Sequence, residues 1–294
     1  MNDTWLVVDG TFLCHRAFWA IGELSYKDNP TGVAFGFLSD VLRMQERFGA
    51  PYVVLAFDLG ESKRQKIFPE YKANRHQFSS KATPEEIEKD KENRVQLHLQ
   101  IRQLWRNTLP GLGYDNVLTC QGIEADDWIA QACQEIQRDF PRDECVIVTA
   151  DHDLFQCISP SVRMFNPNQK KVHTYQSFFQ RWGLYPKDWP RVKAIAGCSS
   201  DNIPGVPGIG EILAAKYLTG NLLSGKRLEA IQNHTNVITQ NVELVTLPIQ
   251  GTPECGIIKR TPKPEAWKRE MKKLGMKSLS HLDPSGRRRW RIRK

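Results

Sequence analysis

The sequence contains few cysteines, and none of them forms a C-x-x-C pair. The seven cysteines are spread over 294 residues, at positions 14, 120, 133, 145, 157, 198 and 255. An odd and scattered set disfavours a disulfide framework and a cysteine-based zinc site. We therefore predict reduced thiols, most of them in the protein core.

The sequence also lacks long apolar runs. No stretch approaches the roughly 18 apolar residues that a membrane-spanning helix needs, so we expect no membrane association. Residues 1–5 carry neither the basic nor the apolar segment of a secretory signal peptide. These absences predict a protein of the cytoplasm.

Net positive charge is absent from most of the chain and concentrated at its end. The formal net charge is +8, but residues 259–294 contain 14 Lys and Arg against three Asp and Glu. The remaining chain is mildly acidic, at −3. A basic end attracts nucleic acid through its charge, or is solvated without a specific partner. The sequence leaves both interpretations open, also for the arginine-rich residues 287–294 around Trp290.

The sequence does contain apolar strands that end at carboxylates. Strands are predicted at residues 5–8, 52–57 and 145–150, with a weaker one at 117–119. Amphipathic helices alternate with them, at residues 12–21, 32–48 and 124–138. This alternation predicts an α/β fold with a parallel sheet, whose ligands bind beyond the carboxyl ends of the strands.

The remaining pattern is mostly helical. Thr83 and Pro84 begin a helix that is predicted to reach about residue 105, since they supply a cap and a proline at the first position. A hairpin is predicted at residues 162–165 and 171–174, and helices then lead to Gly197. Beyond about residue 232 the pattern fades, apart from one amphipathic helix near residues 265–274.

Eight carboxylates are candidates for a metal site: Asp9, Asp58, Glu124, Asp126, Asp127, Asp151, Asp153 and Asp201. So many acids at one sheet edge repel each other unless cations neutralise them. Oxygen ligands without His or Cys suit Mg²⁺ or Mn²⁺. Two such ions about 4 Å apart stabilise the attacking and leaving oxygens of a phosphodiester displacement, which predicts a metal-dependent nuclease.

Residues 196–210 form a glycine-rich stretch with four glycines and two prolines between two predicted helices. A Gly-x-Gly turn that opens a helix leaves backbone N–H groups free to bind phosphate without a side chain. The stretch is therefore a candidate phosphate grip, or simply a connection between helices.

Six motifs occur in the order of a known family. They are Val-Val-Asp9-Gly with Arg16, Ala-Phe-Asp58, Tyr71-Lys72-Ala-Asn-Arg75, Gly-Ile-Glu124-Ala-Asp126-Asp127, Thr-Ala-Asp151-His-Asp153, and Ser-Asp201-Asn-Ile-Pro-Gly205-Val206-Pro-Gly208-Ile-Gly210. Together they resemble the 5′→3′ exonuclease and flap endonuclease family, over roughly residues 5–232.

The resemblance implies a fold with three regions. Residues 1–175 would form an α/β catalytic domain with a central, mainly parallel PIN-like sheet and a helical arch at about 62–107. Residues 176–258 would form a helical DNA-binding domain, with a helix–three-turn–helix at about 189–220. Residues 259–294 would form a basic C-terminal extension.

The resemblance also implies roles for single residues. Asp9, Asp58, Glu124, Asp126 and Asp151 match the ligands of a first metal ion, and Asp127, Asp153 and Asp201 lie nearer a second. Lys72 and Arg75 match catalytic residues that steer the scissile phosphate. The implied DNA contacts are Arg16, Arg64, Tyr71, Gly205, Val206, Gly208, Gly210 and Lys216. The implied cofactors are two Mg²⁺ or Mn²⁺ ions, with K⁺ at the helix–three-turn–helix.

Several positions depart from the family pattern, among them Lys63, where an apolar residue is common. Cys198 stands where the family has an aspartate of the second metal site, and Ile212 replaces a lysine after the glycine-rich turn. Sulfur is a poor ligand for Mg²⁺, so we expect a weakened second site.

The first functional hypothesis is a monomeric, structure-selective 5′ nuclease of replication or repair. It would cut DNA at 5′ flaps, nicks or free 5′ ends, remove RNA primers, and work in the host cytoplasm if phage-encoded. A second hypothesis is a DNA-junction-binding protein with weak or no catalysis, because of Cys198. A third, a small metal-dependent ribonuclease, is disfavoured by residues 71–75 and 197–210.

Overall fold

Strand β1 (Thr4–Asp9) lies near the middle of a six-stranded sheet. The computed structural model describes residues 2–76, 82–222 and 224–285. In chain order the other strands are β2 (Ser25–Tyr26), β3 (Asn29–Pro30), β4 (Tyr52–Ala56), β5 (Val117–Leu118), β6 (Glu144–Val148), β7 (Val162–Asn166) and β8 (Lys171–His173). The main sheet has the order β5-β4-β1-β6-β7-β8 and is parallel except for the last strand, while β2 and β3 form a separate hairpin.

The central strands are buried on both faces, which explains their continuous apolar runs. Trp5 and Val7 point into one core together with the helix Ala125–Asp139, while Leu6 and Val8 point into a second core on the opposite face. The register sets Asp9 beside Ala56, so the carboxyl ends of β1 and β4 align. The predicted α/β fold with a mainly parallel sheet is confirmed.

Helices cover both faces of the sheet. They are α1 (Gly10–Ile21), α2 (Gly32–Phe48), α3 (Arg64–Ile67), α4 (Pro84–Gln103), α5 (Leu109–Leu112), α6 (Ala125–Asp139), α7 (Tyr175–Trp182), α8 (Trp189–Ala196), α9 (Glu211–Leu218), α10 (Lys226–Asn233), α11 (Thr235–Val245) and α12 (Pro264–Lys273). Short 3-10 turns lie at Ala73–His76, His152–Cys157, Pro186–Asp188 and Ser199–Asp201. Among the described residues, no helix is long and apolar enough to cross a membrane.

Helix α4 begins at the predicted cap. The Thr83 side chain accepts from the Glu86 N–H, and the Glu86 carboxylate accepts from the Thr83 N–H. The helix continues through a π turn at Leu104–Thr108 into α5. The predicted arch also includes residues 77–81, which lie outside the described residues.

The expected loss of helical pattern beyond residue 232 is wrong, because α11 lies there. Its Asn241 amide donates to the backbone carbonyls of Ala194 and Pro204, at 2.9 and 2.6 Å. Leu244 and Val245 are buried beside it. The helix therefore depends on packing against α8 and the glycine-rich stretch, which its sequence pattern alone does not reveal.

The basic C-terminal segment folds onto the body of the protein as far as residue 285. Trp267 of α12 is 1% exposed and donates from its indole nitrogen to the Leu279 carbonyl at 2.8 Å. Met271 joins the same core. The arginine-rich residues 287–294 lie outside the described residues, and the predicted domain boundaries remain predictions.

Candidate metal centre

Four carboxylates meet at the carboxyl edge of the sheet, and we call them the four-carboxylate group. Asp9 ends β1, Asp58 follows β4, Asp126 lies in the first turn of α6 and Asp151 follows β6. Asp58 accepts a hydrogen bond from the Ala125 N–H at 2.8 Å. That contact fixes the start of α6 against the end of β4 and thereby positions Asp126.

Backbone and side-chain donors orient two members of this group. Asp9 accepts from the Phe12 N–H and from the Thr149 hydroxyl, each at 2.9 Å. Asp151 accepts from the Asp153 N–H at 2.8 Å. These bonds hold the carboxylates in place, so the group is preorganised by the strand ends and the turns that follow them.

No ion pair neutralises the four-carboxylate group among the described residues. Burial, together with repulsion from Asp58 and Asp151, raises the pKa of Asp9 to about 7. Burial and repulsion from Asp151, Asp9 and Asp58 also raise the pKa of Asp126. Across the described ranges no lysine or arginine forms an ion pair with any of the four. An oxygen-rich, uncompensated group of this kind fits a hard divalent cation.

A second cluster lies beside the first and consists of Asp153, Cys198 and Asp201. Their ligand atoms all lie within 4.8 Å of one another. Cys198 and Ile203 exchange backbone hydrogen bonds of 3.0 and 2.9 Å, which close the turn that carries Asp201. We call these three residues the mixed cluster, because it contains a thiol where the resemblance implies a third carboxylate.

The mixed cluster already contains two cations of the protein. The Lys193 Nζ lies 2.9 Å from the Asp153 Oδ1 and 3.3 Å from the Glu211 Oε1. The Arg75 guanidinium lies 2.6 Å from the Asp201 Oδ1. The two clusters therefore differ in kind: among the described residues no ion pair reaches the four-carboxylate group, whereas Asp153 and Asp201 of the mixed cluster each pair with a cation.

Glu124 lies apart from the other predicted ligands of a first ion. Its carboxylate accepts from Ser62 at 3.0 Å, from Tyr71 and Arg64 at 2.9 Å each, and from Lys72. Burial opposes ionisation, but Lys72 and Arg64 hold the pKa of Glu124 below its usual value. Both oxygens of Glu124 are engaged by the protein in this arrangement, and its role as a direct metal ligand stays a prediction.

The roles predicted for Arg64 and Asp127 need correction. Arg64 is 2% exposed, and its guanidinium donates to both Asp127 oxygens at 2.7 and 2.8 Å. It also donates to the Leu244 carbonyl, and Asp127 accepts from the Ile249 N–H. The pair ties α3, α6 and α11 together and lies in the interior, so neither residue is available to DNA or to a metal ion.

Tyr71, Lys72 and Arg75 line the route from α3 towards α4. The Lys72 N–H donates to the Asp201 carbonyl at 2.9 Å, and Arg75 donates to the Ser200 carbonyl at 3.3 Å. Tyr71 is buried, with its hydroxyl on Glu124, so its predicted contact with DNA is corrected to a packing and positioning role. Lys72 and Arg75 keep their side chains beside the two clusters.

The glycine-rich turn packs backbone against backbone. A Cβ atom at Gly205 would lie 2.0 Å from the Ala196 carbonyl oxygen, so only glycine fits there. Gly208 has a φ of +74° and open space around it. Among the described residues, the amides of Gly208 and Gly210 donate to no oxygen, and both glycines are exposed.

Other predicted DNA contacts have different surroundings. The Val206 N–H donates to the Ile195 carbonyl at 2.8 Å and its side chain is buried, which corrects its predicted contact with phosphate. Lys216 is exposed on α9, one turn from Ile212, whose side chain is 65% exposed. Arg16 is partly exposed and forms an ion pair with Asp40 at 2.8 Å.

Sequence reasoning missed Lys193. It lies in α8 between Val192 and Ala194, and all three residues are buried. A lysine inside an otherwise apolar run predicts a buried cation with an acidic partner. That signal was available in the sequence, but it does not identify Asp153 and Glu211 as the partners.

A protein-family model and known sequences both match most of this chain. The model of the family "5′-3′ exonuclease, N-terminal resolvase-like domain" matches residues 4–183, which is more than half of the chain. A 5′-3′ exonuclease of Buchnera aphidicola subsp. Schizaphis graminum is 27% identical over 255 residues, covering 86% of this chain and 79% of that protein. DNA polymerase I of Mycobacterium tuberculosis is 30% identical over 274 residues, covering 85% of this chain but only 28% of the polymerase.

Solved structures share the fold. The T5 5′-exonuclease with bound zinc ions matches with a TM-score of 0.67 at 22% identity, over 83% of this chain and 90% of that one. The catalytic core of Rad2 in complex with a DNA substrate matches with a TM-score of 0.58 at 16% identity, over 97% and 93%.

Proposed function

The chain belongs to the 5′-3′ exonuclease family, and on that premise we propose that it is a structure-selective 5′ nuclease that cuts DNA at 5′ flaps, nicks or free 5′ ends. As a member of this family it is a metal-dependent enzyme that hydrolyses DNA phosphodiesters. The observation that carries the proposal is the four-carboxylate group, an uncompensated set of acids beyond the carboxyl ends of three parallel strands.

Mg²⁺ or Mn²⁺ is the proposed ion, with Asp9, Asp58, Asp126 and Asp151 as the residues that would hold it. The chemistry that a bound ion supplies there is a lowered pKa of water and neutralisation of phosphate charge. The protein contributes the rest. Its strand ends orient the carboxylates, and Thr149 and the start of α6 keep them in place.

Lys72 and Arg75 are the proposed phosphate-steering residues. In the free protein each is paired with an acid, Lys72 with Glu124 and Arg75 with Asp201. A phosphodiester offers the same anionic oxygens, so substrate binding would exchange one charged partner for another. Half of the Arg75 side chain is exposed, which leaves it free to make this exchange.

The exposed amides of Gly208 and Gly210, with Lys216 nearby, are the proposed contacts to duplex DNA. Such backbone contacts read no base sequence, so recognition would depend on the shape of a junction. K⁺ at this turn, RNA primers as additional substrates, a monomeric state and a cytoplasmic location belong to the same proposal.

Cleavage of labelled DNA tests the proposed function. A 5′-flap duplex, a nicked duplex and a single strand of equal length are incubated with the protein and Mg²⁺, with EDTA as the metal-free control. We expect cleavage of the flap and the nick near the junction, with little cleavage of the single strand. Binding of the flap without cleavage at any Mg²⁺ or Mn²⁺ concentration would instead support the DNA-junction-binding alternative.

A further inference from the structure

The mixed cluster is surrounded differently from the four-carboxylate group. Each of its two acids pairs with a cation, Asp153 with Lys193 and Asp201 with Arg75, and Lys193 is shared with Glu211. Its third member, Cys198, offers sulfur, which is a poor ligand for Mg²⁺. The residues present therefore do not fit a second hard divalent ion.

The two cations are not equivalent. The Arg75 side chain is 50% exposed and can leave Asp201 when a phosphate arrives. The Lys193 side chain is only 9% exposed, and it contacts acids from two elements, Asp153 before and Glu211 after it in the chain. Lys193 is thus a fixed part of the interior, whereas Arg75 is exchangeable.

Displacing Lys193 would be costly. An ion that took Asp153 from Lys193 would leave a buried ammonium group with Glu211 as its remaining acid, 3.3 Å away. Losing the nearer of its two acids leaves this buried charge less well compensated in a region of low dielectric.

We propose that this chain's own residues hold a single divalent ion, at the four-carboxylate group, and that Lys193 permanently takes the electrostatic place of a second ion beside Asp153. The inference rests on the proposed nuclease function. It makes Lys193 a positioning residue, since it acts through Asp153 and touches neither the substrate nor the reacting atoms.

Counting bound Mn²⁺ in the DNA-free protein tests the inference without any measurement of cleavage. Free Mn²⁺ is followed by electron paramagnetic resonance during titration, and calorimetry gives an independent stoichiometry. The wild type is expected to bind one ion, and binding is expected to be lost in Asp126→Asn. Two ions of comparable affinity in the wild type would overturn the proposal.

Variants of the mixed cluster extend the test. Cys198→Asp combined with Lys193→Met restores the carboxylate and removes the resident cation, so it is expected to gain a second Mn²⁺ site. Lys193→Arg keeps the charge and is the matched control, expected to bind one ion with an unchanged titration curve. A double variant that melts like the wild type but still binds one ion contradicts the role given to Lys193. If the double variant does not fold, the Mn²⁺ stoichiometry of the wild type and of Lys193→Arg still decides whether the protein holds one ion or two.

The outcome is separable from that of the proposed function. A wild type that binds one Mn²⁺ but cuts no flap DNA would refute the nuclease proposal and leave this inference intact. A wild type that cuts flap DNA but binds two Mn²⁺ ions in the absence of DNA would support the nuclease proposal and refute this inference.

Discussion

The Arg64 guanidinium donates hydrogen bonds to both carboxylate oxygens of Asp127 in the protein interior, at 2.7 and 2.8 Å. Asp127 belongs to a sequence motif that otherwise supplies the metal centre, and Arg64 is one of the DNA contacts that the family resemblance implies. The predicted site residues therefore divide into two sets. Some form the reactive surface, and others fasten α3, α6 and α11 behind it.

Asp127→Asn is expected to destabilise the protein rather than to remove a metal ligand. The change leaves Arg64 as an uncompensated buried charge, which lowers the free energy of unfolding by about 3 kcal/mol. Urea unfolding measures this loss, and Asp139→Asn, which removes an exposed partner of Arg138, is the matched control. A stable Asp127→Asn protein with weakened Mn²⁺ binding would restore the metal-ligand interpretation.

Asp126→Asn is expected to lower the rate of flap cleavage by about a hundredfold or more, because a lost ligand removes several kcal/mol of charge stabilisation. Affinity for flap DNA, measured by fluorescence anisotropy in EDTA, should stay near that of the wild type. Glu254→Gln removes an exposed carboxylate on the Arg138 side of the protein and should leave both quantities unchanged. Near-normal cleavage by Asp126→Asn would remove this residue from the metal centre.

In the metal-free protein, the stabilising contribution of Asp9 is expected to be lost as the pH rises from about 4 to about 7. The pKa of Asp9 is raised from 3.8 to about 7 in the folded protein, so the folded state binds more protons than the unfolded state in this window. The stabilising contribution of protonated Asp9 is complete below pH 3.8 and is lost as the pH rises past about 7. Asp126, whose pKa is also raised, adds to the same trend.

Thermal melts in EDTA across this pH range measure the slope. Asp9→Asn should flatten it, and added Mg²⁺ should stabilise the wild type more at pH 7.5 than at pH 5, because the metal binds the ionised carboxylates. A slope that is identical in the wild type and in Asp9→Asn would show that the carboxylates do not repel each other as described.

Arg75→Ala is expected to slow cleavage while the protein keeps its stability. Arg75 is half exposed, so the loss of its ion pair with Asp201 costs little folding energy. Arg138→Ala is the matched control, since Arg138 is similarly exposed and also paired with acids. Single-turnover rates on flap DNA distinguish the two variants. Equal rates for both would show that Arg75 does not act on the phosphate.

Gly208→Ala is expected to weaken binding to duplex DNA. Gly208 and Gly220 have φ values of +74° and +73° and nothing within 4 Å of an added Cβ atom. Alanine therefore strains both positions equally, by about 1–2 kcal/mol. Only Gly208 lies in the proposed phosphate grip, so Gly220→Ala should bind DNA like the wild type. Equal affinities of the two variants would exclude the turn as a contact.

The sequence predicted the carboxyl edge of the sheet well, for a physical reason. An apolar run that ends at an acid identifies both a buried strand and the residue at its end, as at Asp9 and Asp151. The sequence could not show which acids face each other and which face a cation. Arg64 and Asp127 are 63 residues apart, and only the packing of α3 against α6 joins them.

The same limit applies to α11 and to Lys193. The helix Thr235–Val245 depends on Asn241 and its bonds to α8 and Pro204, contacts that a local pattern does not contain. Lys193 can be recognised in the sequence as a charged residue within an apolar run. Its acidic partners lie in the turn that follows β6 and in α9, and the local pattern does not identify them. Residue types and local patterns can be interpreted from the sequence, whereas the pairs that distant residues form in the fold cannot be predicted from it.

Diffraction at the Mn²⁺ absorption edge, from crystals of the protein grown with MnCl₂, tests the single-ion site most directly. One strong anomalous peak is expected in contact with the oxygens of Asp9, Asp58, Asp126 or Asp151, with Lys193 still paired with Asp153. An empty four-carboxylate group, or an ion bound in the mixed cluster in place of Lys193, would contradict the single-ion proposal.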